Sequence, residues 1–173
     1  LVPLVSAICC LLLWNYQKLQ RVVNLAGTVI LLTVTVKLLT TVMSGGIIST
    51  QIASWEAPFG ITMVADLLSA IMLVLTAIIA LTVSIYTFTD LDVGSKRKAF
   101  GYYTLFNILL VGVCGSFLTG DMFNLYVWFE VMLISSFVLM ALGGEKNQIE
   151  GAIKYVTLNL ISSALFLSGV GIL

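Results

Sequence analysis

The sequence predicts an all-α membrane protein, a polytopic bundle of about six transmembrane helices. Hydrophobic residue types make up 60% of the 173 residues and charged types only 9%, whereas soluble domains are about 25% charged. The apolar residues fall in long continuous runs rather than in the alternating pattern of membrane β-strands. With eight basic residues, eight acidic residues and no histidine, the composition excludes nucleic-acid binding and the common histidine-based metal and haem sites.

Six segments are long and apolar enough, or nearly so, to cross the roughly 30 Å hydrocarbon core of a bilayer. In chain order the predicted helices cover residues 1–13, 22–43, 59–86, 99–118, 122–142 and 152–173. The first could be a signal-peptide core, but no basic segment precedes it and no small-residue cleavage site follows it. We therefore interpret it as the remainder of a first helix. Because apolar sequence reaches both ends, we expect the chain to be part of a longer polypeptide.

Basic residues alternate between the predicted connections. They follow the first and third helices and flank the turn before the sixth, whereas residues 44–58 and 119–121 contain none. The basic residues concerned are Lys18, Arg21, Lys96, Arg97, Lys98, Lys146 and Lys154. By the positive-inside rule, these connections lie inside and the N-terminus outside. The sequence thus predicts a multi-pass protein of the cell membrane with its N-terminus outside.

Glu130 is the most informative residue. It lies nine residues after Asp121, or about 13 Å along a helix, and its flanking residues are almost wholly apolar. An ionisable group at that depth is costly, and burial penalises its charged form. We interpret Glu130 as a mid-membrane proton carrier. The alternative is a permanently protonated carboxyl that makes a structural hydrogen bond between helices.

Lys37 and Asp66 are predicted to lie at similar depths on the second and third helices, about 9–10 Å below the outer boundary. An ion pair between adjacent helices would reduce the cost of burying each charge. We expect a structural pair of this kind. Participation in a charge path and the absence of any contact are the alternatives.

Polar residues also mark the last two predicted helices. Asp121 is placed to cap the fifth helix, with a role in ion uptake as the alternative. Lys154 can either snorkel to the inner interface or turn inward towards the fifth helix in a paired or relay role. Tyr155, Asn159 and Ser162 share one helix face, with Ser163 beside them. We favour helix packing for this face, with a hydrophilic path as the alternative.

Small residues and cysteines have simpler interpretations. Gly112, Gly115 and Ser116 predict close packing of the fourth helix. The three cysteines, Cys9, Cys10 and Cys114, lie in apolar runs and are interpreted as small buried hydrophobes rather than a disulfide framework. The sequence contains no phosphate-binding glycine loop, zinc motif or nucleophile elbow. It therefore implies no cofactor.

Two segments resemble the start of a proton-conducting antiporter module: TGDMFNLYVWFEVML at 119–133 and EGAIKYVTLNL at 150–160. That module is shared by antiporter-like subunits of respiratory complex I, membrane-bound hydrogenases and multisubunit Mrp-type Na+/H+ antiporters. The earlier WEAPFGI at 55–61 and the pair Ala65-Asp66 look most like the D subunit of the Mrp antiporters. The resemblance covers essentially the whole chain.

The resemblance implies two parts, an N-terminal group of four helices over residues 1–118 and the beginning of the module over 119–173. It implies that Glu130 and Lys154 transfer protons. In the family the glutamate pairs with a lysine on a broken seventh helix, which this sequence does not contain, within a fold of inverted repeats. The supporting candidates are Lys37, Asp66, Asp121, Tyr126 and Asn159. Protons and Na+ are the implied ions, and other membrane subunits and the lipid bilayer the implied partners.

Three functions stay open at this point. The favoured one is a proton-translocating subunit of a Na+/H+ antiporter, which is a transporter rather than an enzyme. In the second, the same residues move protons in a redox-driven complex such as an NADH:quinone oxidoreductase or an energy-converting hydrogenase. The third is a packing subunit without transport, against which the cost of a mid-membrane Glu130 argues.

Overall fold

The computed structural model of the chain describes residues 1–52, 55, 60–90 and 101–172. Within those ranges it contains six helices and one pair of strands. Their bounds are α1 Val2–Leu12, α2 Gln17–Gly45, β1 Ile48–Gln51, β2 Thr62–Ala65, α3 Leu67–Asp90, α4 Tyr102–Leu118, α5 Met122–Ala141 and α6 Lys146–Ile172. The predicted all-α membrane bundle is confirmed. The predicted basic residues Lys96, Arg97 and Lys98, and most of the WEAPFGI segment, lie outside the described residues.

Four of the described helices are long and apolar enough to cross a membrane. They are α2, the Leu67–Thr87 part of α3, α5 and α6. The other two, α1 and α4, are apolar but have 11 and 17 residues. At 1.5 Å per residue, α4 is about 25 Å long and α1 about 16 Å. Both are shorter than the roughly 20 residues that a helix needs to cross the hydrocarbon core.

The third helix starts later than the sequence predicts, at Leu67 rather than residue 59. Thr62–Ala65 forms β2 and pairs antiparallel with β1, with Ile48 opposite Ala65 and Gln51 opposite Thr62. Residues 61–65 are mostly apolar and only Asp66 separates them from the apolar start of α3, and a short apolar run does not distinguish a strand from a buried helix. The prediction of helix over residues 60–66 is therefore wrong.

This strand pair joins two of the connections. The backbone N–H of Gly120, between α4 and α5, donates to the carbonyl of Thr62 at 2.9 Å, and Met63 forms an isolated bridge with Thr119. The α2–α3 and α4–α5 connections thus lie at the same end of the bundle, which we call the hairpin end. At the opposite end, the hydroxyls of Thr87 and Tyr102 lie 3.3 Å apart. This arrangement agrees with the predicted alternation of connections.

An apolar core lies where α2, α3 and α4 meet. Its buried members are Leu31, Ala77, Ala80, Phe106 and Leu110. Ala77 is fully buried and Ala80 is 2% exposed, so the helices approach closely at small side chains, as is common where van der Waals packing holds membrane helices together.

A buried polar cluster joins the same three helices. The side-chain amide of Asn107 donates to Oδ1 of Asn24 at 2.7 Å and to the carbonyl of Tyr103 at 2.8 Å. The amide of Asn24 donates in turn to Oγ of Ser84 at 2.9 Å. Both asparagines are 1% exposed. Because hydrocarbon offers polar groups no partners, these bonds fix how α2, α3 and α4 are placed against one another.

Replacing Asn107 with alanine removes both donations and leaves Oδ1 of Asn24 without its partner. We expect Asn107→Ala to lower the free energy of unfolding by about 1–2 kcal/mol. Thermal unfolding of the full-length protein in detergent measures this. Asn147→Ala, an identical change at an exposed position near the start of α6, is the matched control. Equal melting temperatures for the two variants would contradict a structural role for the cluster.

Candidate functional site

The α4–α5 turn sets where α5 begins. Asp121 caps α5 through its carboxylate, which accepts from the backbone N–H of Phe123 at 3.2 Å and of Asn124 at 3.1 Å. The buried side-chain amide of Asn124 donates to Oγ1 of Thr119 at 2.8 Å. The favoured capping role of Asp121 is therefore confirmed. The cap places Glu130 about 12 Å along α5, close to the middle of that 20-residue helix.

Glu130 is half-buried and faces a cavity of about 480 Å³ between α5 and α6. Its Oε1 accepts a hydrogen bond from the hydroxyl of Ser163 on α6. The cavity is lined by Leu109, Tyr126, Phe129, Glu130, Met132, Leu133, Ser136, Tyr155, Asn159, Ser162, Ser163 and Phe166. A space of this size can hold several water molecules, at about 30 Å³ each.

The polar face predicted for the sixth helix lines this cavity. The hydroxyl of Tyr155 lies 3.2 Å from that of Ser136 on α5, and the Ser136 hydroxyl also donates to the carbonyl of Leu133 at 2.9 Å. The side-chain amide of Asn159 donates to the carbonyl of Tyr155 at 2.8 Å. Tyr155, Asn159 and Ser162 therefore line the same cavity as Glu130, as the hydrophilic alternative requires, while also packing against α5.

Aromatic rings line the cavity on the side of Glu130 nearer the hairpin end. The rings of Tyr126 and Phe166 stack with centroids 6.5 Å apart. Phe129 meets Phe166 edge to face at 6.4 Å. Tyr126, predicted as a supporting residue, thus contributes an apolar ring and a hydroxyl to the same cavity.

The opposite face of α5 packs against glycines of α4. A Cβ built on Gly115 would overlap the indole of Trp128, and one built on Gly112 would lie 2.7 Å from Cγ of Met132. These two glycines form a groove that admits the large side chains of α5, which confirms the predicted close packing. Ser116 instead donates to the carbonyl of Val113 on its own helix at 2.9 Å.

Lys154 lies away from the cavity. Its ammonium group is 2.7 Å from Oε1 of Glu150 one turn earlier on α6, and the two side chains are 72% and 59% exposed. The structure therefore gives Lys154 a carboxylate partner at the surface of the described residues, and it does not bring Lys154 into contact with Glu130.

The predicted ion pair of Lys37 with Asp66 is wrong. Asp66 immediately precedes α3, and its Oδ1 accepts from the backbone N–H of Ser69 at 2.7 Å. The cause is the late start of α3, which puts Asp66 at the end of a helix instead of two turns inside one. No ion pair joins Asp66 to Lys37 among the described residues. Lys37 is exposed, and its carbonyl accepts from the hydroxyls of Thr40 and Thr41.

Hydrogen bonds from the side chain and backbone of Ser69 lower the pKa of Asp66 from its ordinary value of 3.8. A carboxyl with a lowered pKa in the folded state stabilises the fold when it is ionised. That contribution is present above the ordinary value and disappears as pH falls through the lowered pKa. Asp66 therefore acts as a helix cap at neutral pH.

Side chains that could ligate a metal ion are not grouped together in the described residues. Within the described ranges, no group of three or more histidine, cysteine, aspartate or glutamate side chains is close enough to hold a metal ion. The cysteines there are free thiols, with Cys10 buried and Cys9 and Cys114 half-buried. The interpretation as a small buried hydrophobe therefore fits Cys10 best.

The chain is similar to a known protein family and to several curated proteins. Residues 119–173 match the family model described as NADH:quinone oxidoreductase/Mrp antiporter, transmembrane. Over 173 residues the chain is 42% identical to the D subunit of the Na(+)/H(+) antiporter of Bacillus subtilis (strain 168), covering all of this chain and 35% of that protein. The chain thus spans about a third of the length of the curated relatives it matches.

Two solved structures share the fold. A chain of the Mrp complex from Dietzia sp. DQ12-45-1b superimposes with a TM-score of 0.88 at 30% identity, over 98% of this chain and 32% of that one. A chain of the membrane-bound sulfane sulfur reductase, an archaeal respiratory membrane complex, gives 0.90 at 27% identity, over 98% and 34%. The architecture is therefore common to subunits of an Mrp complex and of a respiratory complex.

The glycine groove of α4 is testable by a minimal substitution. Gly115→Ala forces a methyl group into the Trp128 indole, and we expect it to destabilise the α4–α5 pair by about 1–3 kcal/mol. Gly151→Ala is the matched control, because a Cβ at Gly151 meets nothing within 4 Å and alanine favours helix. Thermal unfolding of the full-length protein in detergent compares the two, and a Gly115→Ala variant as stable as the control would refute the groove.

Proposed function

We propose that the chain is part of a proton-translocating D subunit of a multisubunit Na+/H+ antiporter, within the NADH:quinone oxidoreductase/Mrp antiporter family whose model matches residues 119–173. The identity of 42% along the whole chain to the D subunit of such an antiporter supports this assignment. The family match begins at residue 119, which supports a division into four N-terminal helices over 1–118 and the start of the transport module over 119–173.

The observation that carries the proposal is the environment of Glu130. A carboxyl half-way along a membrane-spanning helix faces a cavity with both apolar and polar walls. That carboxyl accepts a hydrogen bond from the Ser163 hydroxyl, and both apolar and hydroxyl-bearing side chains surround it. Glu130 can thus bind a proton in one state of the transporter and release it in another, provided that a change in access or in a nearby charge alters the balance between its neutral and ionised forms.

Lys154 is the second residue that we assign to proton transfer, as a site that exchanges protons with bulk water. It lies nine residues from Ser163, or about 13 Å along α6, and Ser163 contacts Glu130. Lys154 is eight residues, or about 12 Å, inside α6, so it acts nearer the start of that helix rather than beside the carrier. Its present partner Glu150 is exposed, so exchange of protons with bulk water is possible there.

The family also supports a proposal for the membrane and the complex in which this subunit works. It is a multi-pass subunit of the bacterial cell membrane, with its N-terminus outside by the distribution of basic residues. It works with other membrane subunits, as its similarity to a chain of an Mrp complex suggests. It exchanges protons for Na+ and acts as a transporter subunit rather than an enzyme.

The decisive variant is Glu130→Gln in the full-length subunit within its complex, since glutamine keeps the size but cannot carry a proton. We expect Na+/H+ antiport in everted membrane vesicles, measured by fluorescence of a pH-sensitive dye, to fall at least about tenfold, because the transfer step itself is lost. Glu145→Gln, the same change in the α5–α6 connection, is the control. Amounts of assembled complex are compared by native electrophoresis.

Full antiport by Glu130→Gln would exclude Glu130 as the proton carrier. Loss of antiport in both variants would point instead to a general defect.

A second candidate is a proton-pumping subunit of a redox-driven complex. The fold shared with a chain of a respiratory complex supports it. The two candidates predict different driving forces in the same vesicles. Proton movement driven by a Na+ gradient alone supports the antiporter, whereas movement that requires an added electron donor and ignores Na+ supports the redox complex.

A further inference from the structure

We infer that Ser163 is a positioning residue whose hydroxyl sets the protonation of Glu130, donating to the carboxylate when it is ionised and turning to the backbone of its own helix when it is neutral. This inference rests on the proposed role of Glu130 as proton carrier. In this inference, the hydrogen bond from the Ser163 hydroxyl favours release of the proton from Glu130.

The hydroxyl groups of α6 show what is unusual about Ser163. Thr157, Ser162 and Ser168 each donate to the carbonyl four residues earlier, at 2.9, 3.0 and 2.7 Å. This is the common arrangement for such hydroxyls inside a helix. The Ser163 hydroxyl donates instead to Oε1 of Glu130, across to α5. Its alternative acceptor, the carbonyl of Asn159, is the one that the pattern on this helix would give it.

Few other hydrogen-bonding or charged side chains share the cavity with the Glu130 carboxylate. The titratable side chains that share its cavity are Tyr126 on α5 and Tyr155 on α6, and the lining residue from α4 is Leu109. Among the described residues, no lysine or arginine lines this cavity. The hydroxyl of Tyr155 is engaged with Ser136. Ser163 is therefore the donor that the structure places directly on the carboxylate.

A hydrogen bond donated to a carboxylate favours its ionised form. When a proton binds Glu130, the carboxyl no longer needs that donor, and its own O–H can donate to Oγ of Ser163. The Ser163 hydrogen then rotates to the carbonyl of Asn159. Ser163 keeps its own proton throughout, and the transported proton binds to and leaves from the carboxyl alone.

The test is the pH profile of Na+/H+ antiport by the complete complex carrying Ser163→Ala. Without the donor, Glu130 should hold its proton to higher pH, so the profile should move upward by about one pH unit. Ser163→Thr keeps the hydroxyl and should restore the original profile. Ser168→Ala, the same change on the same helix at an exposed position outside the cavity, should leave the profile in place.

A lower antiport rate with an unmoved profile in Ser163→Ala would reduce Ser163 to a packing residue and overturn the inference. Should the alanine variant not assemble, Ser163→Cys retains a weak donor of similar size and should shift the profile in the same direction by less. Infrared difference spectra give a readout without transport. The C=O band of the protonated carboxyl, identified by its loss in Glu130→Gln, should change frequency in Ser163→Ala, and an unchanged band would also overturn the inference.

The two proposals fail separately. Antiport that survives Glu130→Gln removes the proposed function and this inference with it. Antiport that is lost in Glu130→Gln but keeps its pH profile in Ser163→Ala removes this inference alone.

Discussion

Most of the polar side chains buried inside this bundle take their hydrogen bonds from other protein groups, because hydrocarbon supplies none. The helix hydroxyls meet this constraint by donating to carbonyls of their own turn, as Ser162 does with Leu158. The amides of Asn24 and Asn107 meet it across helices. Glu130 takes its hydrogen bond from the Ser163 hydroxyl on α6. That contact belongs to the polar part of the cavity wall, whose remainder is largely apolar.

The two faces of α5 serve different purposes. Trp128 presses against Gly115 of α4, and Met132 lies against Gly112 at the edge of the cavity, so one added methyl group at either glycine has no room. Tyr126 and Glu130 lie on the other side, along an open cavity. Residues two positions apart on a helix point about 200° apart, so one helix can present both faces. The tight face fixes the position of α5, and the open face leaves room for water and for a change of protonation.

Features that depend on local composition were predictable from the sequence. The six helices, the cap at Asp121 and the packing glycines follow from apolar length, a polar residue at a helix start and small side chains at a contact. Features that depend on how helices and strands contact one another were not predictable from the sequence. A mostly apolar segment on either side of Asp66 was predicted as one helix, which concealed the strand at Thr62–Ala65 and put Asp66 at the wrong depth to pair with Lys37. The Asn24–Ser84–Asn107 cluster was not predicted, because its three residues lie on three different helices and meet only when those helices pack together.

The strand pair at the hairpin end has a mechanical meaning. Gly120 and Thr119, next to the start of α5, are held by β2 through one hydrogen bond and one bridge, so this end of the helix is pinned to the α2–α3 connection. A tilt of α5 about that end would move Glu130 on a lever arm of about 12 Å. A tilt of about 5° moves the carboxyl by roughly 1 Å, a distance comparable to the difference between a formed and a broken hydrogen bond. The small sheet thus marks the end of α5 from which even a slight tilt would be felt at the Glu130–Ser163 contact.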